Sequence, residues 1–244
     1  MTRAGCMIAG VLVPLVLSGC ARKTVSPGTP SPQAYGSAIV ESSGGKQLGF
    51  VGSALGQPLV VQVNDDQGTA VPGALVTLSG PAGVSFDPRF GLTDSSGQFA
   101  SNVTPGGIAG RYEFAATTPT KTGKNVDLKV QEVALGYQER WGAELEIKFC
   151  ARCHNPESTP ERVSNYDNLE TKPHPFTEGD TLNKLTDADL TSIISHGGPA
   201  LSKSALMPPY GHTLSKAEIQ AVIAYIRLVS DPPYRAAGIV YAQK

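Results

Sequence analysis

The run Cys150-Ala151-Arg152-Cys153-His154 decides how the second half of this chain is read. It sets two thiols one short turn apart and puts an imidazole directly after the second. Thiols at that spacing can each add to one of the two vinyl groups of a porphyrin. The adjacent His154 then offers a neutral ring nitrogen to the iron. The form C-x-x-C-H is the attachment site of a covalent haem, haem c. Three other uses of these cysteines compete with it. A structural zinc site wants four Cys or His ligands at close spacing, and the sequence has neither a second cysteine pair nor a compact histidine pair. A redox C-x-x-C belongs on a βαβ frame, which the flanking residues do not suggest. A Cys150–Cys153 disulfide leaves His154 without a role.

Upstream of the motif, Trp141, Leu145 and Phe149 fall on one helical face, and Gly142 lies on the same stretch. Downstream, residues 155–184 are polar and loop-like. Thr186, with Asp189 three residues on, reads as an N-cap and a variant capping box. Leu190, Ile193 and Ile194 then give an apolar stripe that Gly197 ends. Next comes Met207-Pro208-Pro209. Two prolines in succession lack N–H groups and take an extended path, so the loop is stiff enough to hold a thioether over a haem face. The plainer use of Met207 is as a packed core side chain. In the last helix Ser215 and Glu218 form a capping box, Ile219, Val222, Ile223 and Ile226 share one face, and Asp231-Pro232-Pro233 stops it.

G-x-x-L before C-x-x-C-H, then a helix, then M-P-P, then L-S-x-x-E-I-x-x-V-I-x-Y-I-R, resembles the small class I c-type cytochromes. The resemblance implies an all-α cytochrome c domain over 134–244, one covalent haem c on Cys150 and Cys153, and iron held axially by His154 and Met207. It implies that Tyr225 packs near Gly142 where the first and last helices cross. It also implies that a proline carbonyl in the 155–184 loop accepts from the haem histidine, with Pro160, Pro173 and Pro175 as candidates. The chain departs from the family at Glu146, where an aromatic is usual, and at Asn155-Pro156, where glycine is common. His174, His196 and His212 read as surface residues or as residues behind the ligands, with His212 and then His196 next in line should Met207 not ligate. The function implied is one-electron transfer by a carrier rather than an enzyme, with partners among redox proteins of the cell envelope. The alternatives are a haem enzyme or gas sensor with a displaceable sixth ligand, and a surface interaction protein acting through the first half of the chain.

That first half, 38–133, is patterned for β structure. Leu59-Val60-Val61-Gln62-Val63, Ala74-Leu75-Val76-Thr77-Leu78, Arg111-Tyr112-Glu113-Phe114-Ala115 and Asn125–Val130 are separated by turn residues at the spacing of a sandwich. Asp66-x-Gly68, Val71-Pro72-Gly73-Ala74, Thr93-Asp94-x-x-Gly97 and Gly110-Arg111-Tyr112 resemble the bacterial immunoglobulin-like domains of the invasin and intimin group. A transthyretin-like or carboxypeptidase-regulatory-like sandwich would look much the same. The region has no Cys and no His, so it offers no nucleophile–base pair. Asp65, Asp66 and Asp94 are expected as turn formers that bond their own backbone. The fold class expected is therefore multidomain: an immunoglobulin-like β-sandwich, then an all-α cytochrome c domain. The sandwich is expected to act as a spacer or docking surface.

The N-terminus carries Arg3, then an apolar run to Leu17 interrupted by Pro14, too short for a stable membrane-spanning helix. It closes in Leu17-Ser18-Gly19-Cys20, which resembles the lipobox of bacterial lipoproteins. Residues 1–19 are thus expected to be a cleaved signal and Cys20 to be lipidated, the alternative being an ordinary secretory signal with Cys20 left free. Ala21 after the cysteine resembles the outer-membrane sorting pattern. Residues 20–37, with Pro27, Pro30 and Pro32 among Ser, Thr and Gly, read as a tether. The product would be an exported chain, lipid-anchored in the envelope and facing the periplasm or carried on the outer membrane. A formal net charge of −1 argues against a nucleic-acid partner, which would call for a basic patch.

Overall fold

The computed structural model describes residue 32, residues 34–160 and residues 163–236. Nine strands come first: β1 (Ala38–Ser43), β2 (Leu48–Phe50), β3 (Leu59–Asn64), β4 (Leu75–Ser79), β5 (Ser85–Asp87), β6 (Phe90–Leu92), β7 (Gln98–Thr104), β8 (Gly110–Pro119) and β9 (Asn125–Leu135). They form two sheets, in the orders β1-β3-β7-β5 and β2-β9-β8-β4-β6. Every pairing is antiparallel except β2 with β9. Both sheets contribute to one apolar core, with Leu59, Val61 and Val63 of β3 against Val76, Leu78, Phe114 and Val130 of the other sheet. The period-2 alternation of β3 and β8 drives this arrangement, since every second side chain leaves water.

The turns use the chemistry expected of them. The Asp65 carboxylate accepts from the N–H groups of Gln67 and Thr69, and that of Asp94 from Ser96 and Gln98. Buried Thr93 joins two of the quoted segments: its hydroxyl donates to Val71 O at 2.6 Å and accepts from Ala74 N–H at 2.9 Å. Gly97 has φ +71°, and a Cβ there would lie 2.8 Å from Val71 N, so only glycine suits this turn.

Inside the sandwich, β9 buries a carboxylic acid. Glu132 is 1% exposed. Its Oε2 accepts from Gln47 N–H and its Oε1 is buried with no partner. Burial is the main reason its pKa is pushed up from 4.5 to about 7, partly countered by the Gln47 bond and reinforced by the nearby Glu41 charge. The folded state prefers the protonated acid, so its contribution is fully present below pH 4.5 and is lost as the pH rises through about 7. The difference is roughly 3 kcal/mol. Glu132→Gln, which keeps the acceptor for Gln47, is expected to raise stability at pH 8 and flatten its pH dependence between pH 5 and 8. Denaturant unfolding at a series of pH values checks this, and a variant with the slope of the parent would contradict it.

Among the described residues five helices follow: α1 (Tyr137–Phe149), α2 (Ala151–His154), α3 (Gly179–Leu182), α4 (Asp187–His196) and α5 (Lys216–Val229), with 3₁₀ turns at Tyr166–Asn168 and Gly198–Leu201. Both expected capping boxes form, Thr186 with Asp189 and Ser215 with Glu218, and Gly197 ends α4 with φ +82°. The core gathers Leu145, Leu182, Leu190, Ile194 and Leu214 around Ile219, Val222, Ile223 and Ile226 of α5. Each such side chain contributes about 1.5–3 kcal/mol on full burial. Arg227 ties α5 to the segment before α4, donating to Leu182 O, Leu185 O and the Asp187 carboxylate while lying over the Tyr234 ring. The first and last helices cross at Gly142, as expected. A Cβ there would sit 2.0 Å from Ala221 O and 2.9 Å from Tyr225 Cβ.

Only Gly136 separates β9 from α1. Arg140 of α1 lies over the Phe50 ring of β2 at 4.5 Å, and Arg111 of β8 reaches the end of α5. Among the described residues no helix is long and apolar enough to cross a membrane.

Candidate functional site

Cys150 is the residue at which α1 ends, and α2 begins immediately after it. Cys153 N–H and His154 N–H both donate to Cys150 O at 3.0 Å. One tight backbone turn therefore carries both cysteines and the histidine, with Ala151 turned into the core at 1% exposure. Both cysteines are unbonded and half-buried. Burial, then the Glu146 and Cys153 charges, push the Cys150 thiol up to about 12. A redox C-x-x-C needs its thiol pKa lowered, not raised. That argues against the thioredoxin-type use.

His154 donates from Nδ1 to His174 O at 2.8 Å. A carbonyl can only accept, so the proton is on Nδ1 and Nε2 carries the lone pair. The acceptor is the carbonyl of His174, the residue before Pro175, and not that of Pro160, Pro173 or Pro175. Loop path decides which carbonyl faces the ring, and 155–178 has no periodicity from which to read it. Burial lowers the His154 pKa, the carbonyl bond partly offsetting this, so the ring stays neutral, as a metal ligand must be. The Phe176 ring packs against it with centroids 5.0 Å apart.

The loop that carries the motif onward is stitched to it. Asn165 N–H donates to Arg152 O at 2.7 Å, Ser164 Oγ to Asn155 O at 2.6 Å, and Lys172 Nζ to Tyr166 O and Asp167 O.

Met207 arrives on a separate loop. Gly198 N–H donates to Met207 O at 3.1 Å, Tyr210 N–H to Ile194 O and Gly211 N–H to Ser195 O, both at 2.9 Å. These bonds seat the loop on the end of α4. A Cβ on Gly198 would lie 1.9 Å from Ser204 O, so glycine is what allows the approach. The Met207 side chain packs on the helical core but stays half-buried, as do Phe149, Phe176, Ile193 and Tyr210. Tyr210 also donates its hydroxyl to Phe149 O at 2.8 Å, closing the end of α1. His174, His196 and His212 are exposed. Cys20 and the lipobox lie outside the described residues.

Two features of the site escaped sequence reasoning. Glu146 is buried at 8% exposure, one turn before Cys150. The His174 carbonyl is the other. Among the described residues no three His, Cys, Asp or Glu side chains stand together as a metal cluster. Haem iron needs only one protein ligand on each face.

Residues 138–226 match the family model for subunit III of cbb3-type cytochrome c oxidase. The match takes in α1, the C-x-x-C-H turn, the Met207 loop and most of α5, and covers less than half of the chain. A comparison with curated proteins finds no match. Among solved structures, the D00–D0 domain of Intimin is 16% identical with a TM-score of 0.32, over 45% of this chain and 52% of that one. The D0–D1 domain of Intimin is 17% identical with a TM-score of 0.30, over 42% and 50%. Invasin, a bacterial integrin-binding protein, is 17% identical with a TM-score of 0.30, over 40% and 19%. The chain spans about half the length of the intimin fragments it matches. Likenesses of this strength carry no argument, and the sandwich rests on its own strand order and shared core.

Proposed function

We propose that the chain is a c-type cytochrome that carries single electrons between redox proteins of the bacterial cell envelope. The observation that carries this reading is the turn at Cys150–His154. It offers two unbonded cysteines and an imidazole whose Nδ1 is already committed to a carbonyl, which leaves Nε2 as the donor. The match over 138–226 to a cytochrome oxidase subunit supports it.

The donor set fits haem c. Cys150 and Cys153 would hold the haem covalently, and His154 Nε2 and the Met207 thioether would be its iron ligands. The haem, when bound, supplies the Fe(III)/Fe(II) couple. The protein's own part is to fix ligand orientation through the His174 carbonyl and to keep water back with Phe149, Phe176, Ile193 and Tyr210. A thioether is neutral and soft and favours Fe(II), so His/Met ligation raises the potential relative to two imidazoles. Acid–acetone extraction of the purified protein is expected to leave the colour on the polypeptide. Extractable haem, or a zinc signal in its place, overturns the reading. In this reading residues 1–19 are removed and Cys20 carries a lipid. The parent then partitions into detergent, and Cys20→Ser is soluble or unprocessed. Equal partitioning of the two rules out the anchor.

A second reading, a haem sensor or enzyme with a displaceable sixth ligand, draws on the Met207 loop. That loop is held to α4 through main-chain bonds, and Leu206 beside it is 63% exposed. Tight binding of carbon monoxide or cyanide by the unmodified protein, without a Met–iron absorption band, decides for it.

A further inference from the structure

A path of hydrogen bonds joined by short stretches of chain leads from the sandwich to His154. Arg111 Nη2 on β8 donates to Val229 O at 3.0 Å and to Ser230 O at 2.5 Å. These are end carbonyls of α5, which have no partner within the helix. Pro232 and Pro233, which follow, have no N–H to offer them. A cation also suits the negative end of the helix dipole. The next residue, Asp231, donates its N–H to Thr177 O at 2.8 Å and accepts from Gly179 N–H at 3.0 Å. Between Thr177 and Gly179 lies Glu178. Its carboxylate accepts from His174 Nδ1 at 3.0 Å and from Thr181 Oγ1 at 2.8 Å. His174 O then accepts from His154 Nδ1 at 2.8 Å.

Arg111 is held at this joint by its two hydrogen bonds from Nη2 to α5, while its Nε is buried without a partner. At the other end, the strength and direction of the Nδ1–H···O bond set how basic an axial imidazole is. Disorder in 174–179 loosens that bond, and disorder there follows from releasing Asp231.

We propose that Arg111 is a positioning residue for His154, and that the sandwich braces the loop that holds the axial ligand. This rests on the cytochrome reading above. The sandwich is then part of the electron-transfer centre, as well as whatever spacing or docking it provides.

The test uses the full, haem-loaded chain with Arg111→Ala, Arg111→Lys and Glu178→Ala. Lys129→Ala, which breaks an exposed ion pair with Glu113 elsewhere in the sandwich, is the control. Two quantities are read: hydrogen exchange of peptides spanning 173–179, and the midpoint potential. Arg111→Ala is expected to speed exchange in that loop at least several-fold and move the potential to more positive values, since a weaker carbonyl bond stabilises Fe(III) less. Arg111→Lys, which keeps the charge and one donor, should fall between. Glu178→Ala leaves the joint intact and tests only the last contact before His154, where it should shift the potential in the same direction; Arg111→Lys decides for the brace if Arg111→Ala does not fold. The control should change neither quantity. Lower thermal stability with the loop exchange and potential of the parent overturns the proposal, and so does faster exchange with an unmoved potential. A parent chain without covalent haem overturns the cytochrome reading and the brace together, whereas a haem-loaded parent with unresponsive variants overturns the brace alone.

Discussion

Met207→Ala is expected to open the sixth position and strengthen binding of carbon monoxide to the reduced protein, and of cyanide to the oxidised protein, by about a hundredfold. The figure follows from a resident ligand that occupies the site with an advantage of ~3 kcal/mol, at 1.4 kcal/mol per factor of ten. The substitution should loosen the loop, because the Met207 side chain packs on the helical core, but the main-chain seating remains. The loop is seated by the bond from Gly198 N–H to Met207 O and by those of Tyr210 and Gly211 to α4, none of which needs the methionine side chain. The two cysteine links should keep the haem in place throughout. Met207→His should lower the potential if its ring reaches the iron. A variant with the parent's spectrum, potential and ligand affinity removes Met207 from the coordination sphere. His212 and then His196 become the residues to replace, and the sensor reading gains.

Gly142→Ala should strongly destabilise the helical unit. The new Cβ falls 2.0 Å from Ala221 O and 2.6 Å from Ala221 C, main-chain atoms of α5 that cannot swing aside. Alanine in place of glycine favours a helix by ~1 kcal/mol. Overpacking against a rigid neighbour costs about 3 kcal/mol, at the upper end of its usual range. The clash wins by roughly 2 kcal/mol, which corresponds to a fall of about 10 °C in Tm for a unit of this size. Thermal unfolding followed at the haem band measures this, and a variant as stable as the parent would show that the helices do not cross so closely.

Much of the helical unit is legible because its signals are local. Thr186 and Asp189, or Ser215 and Glu218, carry their capping partners within four residues, and both boxes form. Gly142 and Tyr225 are far apart in sequence, and only the pattern of a known family brings them together before the structure does. Glu132 shows a signal that was present but followed too briefly. The alternation of Val126, Leu128 and Val130 continues through Glu132 to Ala134, and parity alone puts the carboxyl on the inner face. Arg111 and His174 are different in kind. Both act where chain segments meet at sequence separations no period links, and His174 acts through its backbone, which side-chain chemistry does not announce. The short strands β2, β5 and β6 have three residues each, fewer than an alternation needs to declare itself.

The single-residue passage from β9 to α1 has a consequence for how the gene can change. A helix turns by about 100° per residue, so one codon gained between Leu135 and Tyr137 swings all of α1 by that angle about its axis. Arg140 would leave the Phe50 ring, and Arg111 would no longer face the end of α5. Gly136 is hemmed in as well, since a Cβ there would lie 3.1 Å from Ala109 Cβ. Insertions and deletions among descendants of this sequence should therefore gather before Ala38 and spare the interval from Val133 to Arg140. The two halves are locked in helical phase, and a lineage that lost that phase would have to rebuild the joint before it could regain the brace.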